Sequence, residues 1–197
     1  MPGWDDMDSA IEFAVGFLAD LAQTQSESRV LDSESTEYLA AKKLFLRQLF
    51  GFVCAVRTYR NFYWEMLPDH STAADRLKLD FNSDPLIGFH SELANHGLHA
   101  AAISSSRHYF RGGDRSGEVW FSYNDSRLPA AAVTHYKAAQ APAAAKGAKY
   151  PILDIATQAV AVAHSYHERL LKCRLTHVLR LAHDSRRRAA TPKTGLP

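Results

Sequence analysis

The strongest helical hydrophobic pattern in the chain runs from Thr36 to Leu67. Apolar side chains recur there at intervals of three and four residues, which is the spacing of one face of an α-helix. Thr36 is the predicted N-cap, and Pro68 ends the helix. A stripe so rich in aromatic residues is typical of a helix at the centre of a bundle, buried on more than one side. The stripe comprises Leu39, Phe45, Leu46, Leu49, Phe50, Val53, Val56, Tyr59, Phe62, Tyr63 and Met66.

Further segments carry a helical pattern or a helix-start signal. One begins at Asp84-Pro85, where the aspartate is the predicted N-cap and the proline occupies the first turn. Another is opened by Pro151 and has an apolar stripe that includes His177 and Leu181. The predicted helices cover residues 8–24, 84–101, 128–139 and 151–183, and residues 71–79 are predicted to form a short helix or a turn.

The hydrophobic period changes from helical to alternating after residue 102. Residues 103–110 and 118–123 are predicted strands, and the glycine-rich segment 111–117 joins them as a hairpin. Because an isolated hairpin is only marginally stable, it is expected to pack against the helices. The pattern therefore predicts an all-α fold, a helical bundle with long central helices and one small β-hairpin, in a single domain over residues 1–183.

Charge is distributed unevenly along the 197 residues, whose formal net charge is +2. Residues 180–197 carry five basic side chains and one acidic side chain. We predict that residues 184–197 form a basic, flexible tail. The chain has no apolar run of the roughly 18 residues that a membrane span needs. Its N-terminus is acidic and lacks the basic start of a secretory signal. These features predict a cytoplasmic protein with no membrane partner.

The most specific pattern is Glu92-Leu93-Ala94-Asn95-His96-Gly97-Leu98-His99. It resembles the HEPN superfamily, all-helical domains whose signature is an arginine, four to six residues and then a histidine, often with a polar residue directly after the arginine. Position 94, the polar Asn95 and His99 have this spacing. The chain is also similar to uncharacterised bacterial helical proteins in which a proline-led helix precedes the motif and a hairpin follows it. Alanine stands at position 94, where the family has its arginine.

This resemblance implies a chemistry and a mode of assembly. In active HEPN proteins the arginine and histidine of two subunits meet at an RNA backbone, where the arginine holds a phosphate oxygen and the histidine moves protons. Ala94 can do neither. We therefore expect a non-catalytic, HEPN-like homodimer without a cofactor, which binds RNA or a partner protein in a bacterial defence or toxin–antitoxin setting. Asn95 and His99 are the candidate catalytic or RNA-binding residues.

Three other interpretations are open. The first is a metal-independent ribonuclease whose arginine comes from Arg57 or Arg60, which are further RNA-binding candidates. The second is that Asn95 and His99 are polar groups that satisfy partners between packed helices. The third is a metal-binding helical bundle.

The metal hypothesis depends on two pairs of histidines. His96 and His99 are three residues apart, as are His164 and His167, so each pair lies on one helical face. Glu92 lies one turn before His96. Imidazole and carboxylate groups from facing helices are the ligands that a metal site in a bundle uses.

Overall fold

A computed structural model describes residues 4–32, 34–67, 72–96, 103–108, 118–144 and 151–190. Within these ranges the chain forms six α-helices and one two-stranded antiparallel sheet, which confirms the predicted helical bundle with one small hairpin. None of the helices in these ranges is long and apolar enough to cross a membrane. The elements are α1 (Trp4–Glu27), α2 (Thr36–Met66), α3 (Thr72–Ser83), α4 (Pro85–His96), β1 (Ile103–His108), β2 (Glu118–Tyr123), α5 (Ala130–Ala144) and α6 (Ile152–Ala190), with short 3-10 helices at Ser28–Val30 and Asp125–Arg127.

The central helix of the bundle is α2, as its aromatic stripe predicts. It packs against α1, α4 and α6. The hydroxyl group of Tyr59 donates a hydrogen bond to the carbonyl oxygen of Ala163 on α6 (3.0 Å), which joins the two long helices. Gly51 allows α1 to approach closely, because a Cβ atom at this position would lie 2.5 Å from the ring of Phe17.

The predicted start of α2 is wrong by one residue. The N-cap is Ser35, which has an extended backbone, and its hydroxyl oxygen accepts a hydrogen bond from the backbone N–H of Tyr38 (3.1 Å). Thr36 is the first residue of the helix. Serine and threonine are both good N-caps, so the composition could not choose between adjacent positions.

An aromatic cluster fills the core where α2, α3 and α6 meet. The ring of Phe81 on α3 stacks on Tyr63 of α2, with ring centroids 4.2 Å apart. The ring of Tyr166 on α6 meets Phe81 edge-on at 4.9 Å. Burial raises the pKa of the Tyr63 hydroxyl above its ordinary value, so this tyrosine stays neutral at physiological pH.

The hairpin packs against the helices, as a two-stranded sheet requires. The strands pair in register from Ile103 opposite Tyr123 to His108 opposite Glu118. The ring of Phe121 lies 4.2 Å from that of Phe45 on α2. The first strand was predicted to reach residue 110, and the glycine-rich connection was predicted at 111–117. Residues 109–117 lie outside the described part of the chain.

The last helix is longer than its sequence pattern predicts. α6 runs to Ala190, past the predicted end at about His183, so the first residues of the segment predicted to be a tail are helical. Residues 191–197 lie outside the described part of the chain. Arg174 of α6 contacts both the start of α1 and the end of α2. The residues of α6 after Arg174 therefore extend beyond these two helix ends. The guanidinium of Arg174 lies over the ring of Trp4 and also reaches Met66.

Candidate functional site

The helix that carries the HEPN-like segment, α4, begins as predicted. The Asp84 carboxylate accepts hydrogen bonds from the backbone N–H groups of Leu86 (2.9 Å) and Ile87 (3.1 Å). Burial raises the pKa of this carboxyl, and the two backbone hydrogen bonds act in the opposite direction. The prediction of Asp84 as N-cap is confirmed, with Pro85 as the first helical residue.

A fully buried histidine, His90, lies in the middle of α4. Its Nδ1–H donates to the carbonyl oxygen of Leu86 (2.7 Å), while its Nε2 has no hydrogen-bond partner among the described residues. The rings of Phe52 and Phe89 meet the imidazole edge-on, each at 5.2 Å. Desolvation lowers the pKa of His90 to about 4, so the side chain is neutral at physiological pH.

Sequence reasoning did not single out His90. His90 lies one helical turn after Leu86 and three residues before Leu93, and both leucines are buried. This position on the apolar face of α4 could have predicted the burial of His90. A neutral imidazole enclosed by phenyl rings cannot exchange protons with a substrate. His90 is therefore a core residue of α4 and not a catalytic group.

The C-terminal part of α4 carries the motif positions. Asn95 is exposed, which excludes the interpretation that it is a polar group packed between helices. Ala94 is half-buried and packs against the hydrophobic core. The Glu92 carboxylate lies 3.3 Å from Nε2 of His96, one turn later on the same surface. α4 is described as far as His96, and His99 lies outside the described residues.

The two arginines proposed as substitutes for position 94 lie elsewhere on the bundle. Phe52 contacts His90 in the middle of α4, whereas the later residue Tyr63 contacts Phe81, just before α4 begins. The helices α2 and α4 are therefore antiparallel.

The antiparallel packing separates these arginines from the motif. Phe52 of α2 contacts His90 of α4. Arg57 lies five residues beyond Phe52, and Asn95 lies five residues beyond His90 in the opposite direction. At 1.5 Å per residue, Arg57 and Asn95 are therefore about 15 Å apart along the helix axes. Arg60 is about 20 Å from Asn95 by the same reasoning. The fold does not bring Arg57 or Arg60 to Asn95.

The four histidines of the metal hypothesis do not form one site in the described part of the chain. His96 pairs with Glu92. His167 lies on α6, where its Nε2 is 3.3 Å from the Asp8 carboxylate of α1. His164 is exposed on α6, and His99 lies outside the described residues. No group of three or more histidine, cysteine, aspartate or glutamate side chains with metal-site geometry occurs among the described residues.

A cleft that sequence reasoning did not find lies between α3 and α6. Its volume is about 670 Å³, and its walls include Leu77 of α3 and Lys172, His177 and Arg180 of α6. A further cation in its wall, Arg169, is paired with Asp80 of α3 and lies over the ring of Tyr166. The cleft depends on the packing of two helices distant in sequence, which no local pattern indicates.

The most exposed apolar side chains of α6 come after Leu170 in the sequence. Leu170 is fully buried, but the exposed fractions of the following apolar side chains rise to about half or more: Leu171 45%, Leu175 62%, Val178 57%, Leu179 61% and Leu181 53%. Leu181 lines the cleft, whereas the other four do not. The segment 171–190 is called the projecting segment below.

No protein-family model matches the chain, and neither a curated protein nor a solved structure is significantly similar to it.

Proposed function

We propose that this chain is a non-catalytic, HEPN-like helical domain that acts by binding a protein partner. The observation that carries the proposal is the projecting segment, in which Leu171, Leu175, Val178 and Leu179 are 45–62% exposed. Large apolar side chains grouped on a protein surface are typical of interaction sites. A second copy of the chain is the partner that the HEPN-like resemblance implies.

The surroundings of the motif support the absence of catalysis. Position 94 has no cation because it is alanine, and the backbones of Arg57 and Arg60 in the same chain are about 15–20 Å from Asn95 along the helix axes. Losing an electrostatic contact of this kind typically costs a factor of about 100 to 1000 in rate. Glu92 adds a carboxylate to the same end of α4. A negative charge there opposes the approach of an RNA phosphate.

An RNA assay tests the catalytic side of the proposal. Purified protein is incubated with single-stranded RNA with and without a chelator, and cleavage is followed on a denaturing gel. We expect no cleavage by the wild type. Cleavage that survives the chelator and disappears in His99→Ala would overturn the proposal. The variants Ala94→Arg and Ala94→Gln form a matched pair, and activity in the arginine variant alone would identify a site that lacks only its cation.

A binding assay tests protein recognition against RNA recognition. Fluorescence anisotropy with labelled single-stranded RNA is expected to show no saturable binding at micromolar protein. Saturable binding that weakens in Arg57→Ala or Arg60→Ala would favour the RNA-binding alternative and contradict the proposal. Salt dependence of such binding would identify phosphate contacts.

A further inference from the structure

We infer that the projecting segment of α6 is a dimer interface, on which the same segment of a second copy docks in the antiparallel direction. The inference rests on the proposed function, because it names the partner of that binding surface. It assigns the contact to α6 and not to α4, the helix that carries the HEPN-like segment.

The exposed apolar side chains lie on one face of the helix. Leu171, Leu175, Val178 and Ala182 follow one another at intervals of four, three and four residues. This is the spacing of the contact positions in a two-helix coiled coil. Leu179 widens the stripe on one side. Among the described residues, α1 contacts α6 at the edge of this face, at His167 and Arg174, and no other element covers the exposed side chains of the stripe.

The stripe is complementary to itself when the second helix runs in the opposite direction. With a two-fold axis between positions 176 and 177, Leu171 faces Ala182 of the second copy, and Leu175 faces Val178 of the second copy. Each layer then pairs a larger side chain with a smaller one, and every contact occurs twice. A two-fold interface has this reciprocity.

The charges at the ends of the stripe agree with this register. In the antiparallel arrangement, positions 186–188, which are arginine in the sequence, come level with positions 165–167 of the second copy. The first turns of α1 lie at that level, because Trp4 and Asp8 both contact His167. α1 carries six carboxylates and no lysine or arginine, including Asp5 and Asp6 in its first turn. The positions that are arginine in each copy's sequence therefore come level with the acidic start of α1 in the other copy.

The same acidic end argues against an anionic surface as the occupant. A basic helix with an apolar stripe can also lie on anionic lipid. Here α1 contacts α6 at the edge of the stripe, since His167 and Arg174 are separated from Leu171 by one turn on either side. The carboxylates of α1 would therefore lie close to lipid phosphates and repel them.

Sedimentation velocity of the full chain tests the interface. At tens of micromolar we expect the wild type to be a dimer. Leu175→Glu places two charges at the centre of the interface and is expected to raise the dissociation constant at least about 10-fold. Leu79→Glu is the matched control, because Leu79 is an equally exposed leucine (70%) on α3, away from the stripe. Both leucines are exposed, so circular dichroism should show unchanged helix content.

Cross-linking tests the direction of the helices. Leu175→Cys and Val178→Cys chains with different tags are prepared in a background in which Cys54 and Cys173 are replaced by serine. Oxidation of the mixture should join position 175 of one copy to position 178 of the other. The Leu175→Cys chain is also oxidised alone. If it formed cross-links from position 175 to position 175 at a yield equal to or higher than that of the 175-to-178 cross-link in the mixture, the helices would be parallel and the inference would be overturned.

The outcomes separate this inference from the proposed function. A wild-type monomer at tens of micromolar, a Leu175→Glu dimer as tight as wild type, or a monomer that sediments with phosphatidylserine vesicles would each overturn the second-copy interface. Cleavage of RNA by the wild type would overturn the proposed function and leave the sedimentation result unaffected.

Discussion

Protonation of His90 should make the stability of the protein fall between pH 7.5 and pH 5.5. The folded protein holds this imidazole neutral, with a pKa of about 4, whereas the unfolded chain exposes an imidazole with the ordinary pKa of 6.5. The unfolded state therefore binds the proton more strongly. His90 contributes its full stability above pH 6.5, and this contribution is lost as the pH falls towards 4.

The magnitude follows from the two pKa values. Linkage gives a loss of about 1 kcal/mol in the free energy of unfolding between pH 7.5 and pH 5.5, which reaches about 3 kcal/mol at pH 4. The side chain of His90 is fully buried, so solvent does not screen this effect. The loss is large beside a typical total stability of about 5–15 kcal/mol.

Urea unfolding at the two pH values, followed by circular dichroism, measures this loss. His90→Gln removes the titrating group, so the decrease between pH 7.5 and pH 5.5 should be smaller than in wild type by about 1 kcal/mol. The intrinsic cost of the substitution is present at both pH values and cancels from the comparison. His164→Gln is the control, because His164 is exposed, and it should retain the wild-type pH dependence.

Equal pH dependence of wild type and His90→Gln would refute the reasoning. A titration of the His90 imidazole by NMR provides a second check that does not require a variant. If the ring signals of His90 shifted with a midpoint near pH 6.5, the histidine would be accessible to solvent and the packing around α4 would be incorrect.

Two further predictions concern local packing and capping. Gly51→Ala should lower the free energy of unfolding by about 1–2 kcal/mol, because the new methyl group displaces the ring of Phe17 and overpacking typically costs 1–3 kcal/mol. Gly16→Ala should raise the free energy of unfolding by up to about 1 kcal/mol, since a Cβ atom there meets nothing within 4 Å and alanine favours the helix. If thermal unfolding showed that both variants were stabilised, or both destabilised, the close contact at Gly51 would be contradicted. Asp84→Ala should cost about 1 kcal/mol through loss of the N-cap of α4, and Asp84→Asn, which keeps an acceptor oxygen, should recover most of it in the same assay.

The helices and the hairpin were predictable because they depend on local chemistry. The apolar stripe of α2, the Asp84-Pro85 start of α4 and the alternation in β2 each contain their own signal within a few residues. A hydrophobic period reports the side-chain geometry of one element, whichever neighbour later covers it. Boundaries were less well determined, as the N-cap at Ser35 and the end of α6 at Ala190 show.

The environment of each candidate residue depended on the tertiary structure. The sequence contains Arg57, Arg60 and Asn95, but only the antiparallel packing of α2 and α4 shows that they lie far apart. The same packing encloses His90 between phenyl rings and lowers its pKa. The surroundings of the metal candidates also depended on packing, since His167 pairs with Asp8 of α1, whereas His96 pairs with Glu92 of its own helix.

By itself, the sequence determined which segments are helical or extended and that Asp84 caps α4, and it places alanine at position 94 of a segment that resembles the HEPN motif. Only the tertiary structure decided which apolar faces are covered. The stripe of α2 includes Leu39 and Phe50, which are about half exposed. The predicted stripe of α6 is buried at Leu170, half-buried at His177 and exposed at Leu181. Periodicity is a property of one helix, whereas burial requires a second surface at the right height and angle. That second surface is set by contacts between residues far apart in the chain, which local patterns do not encode.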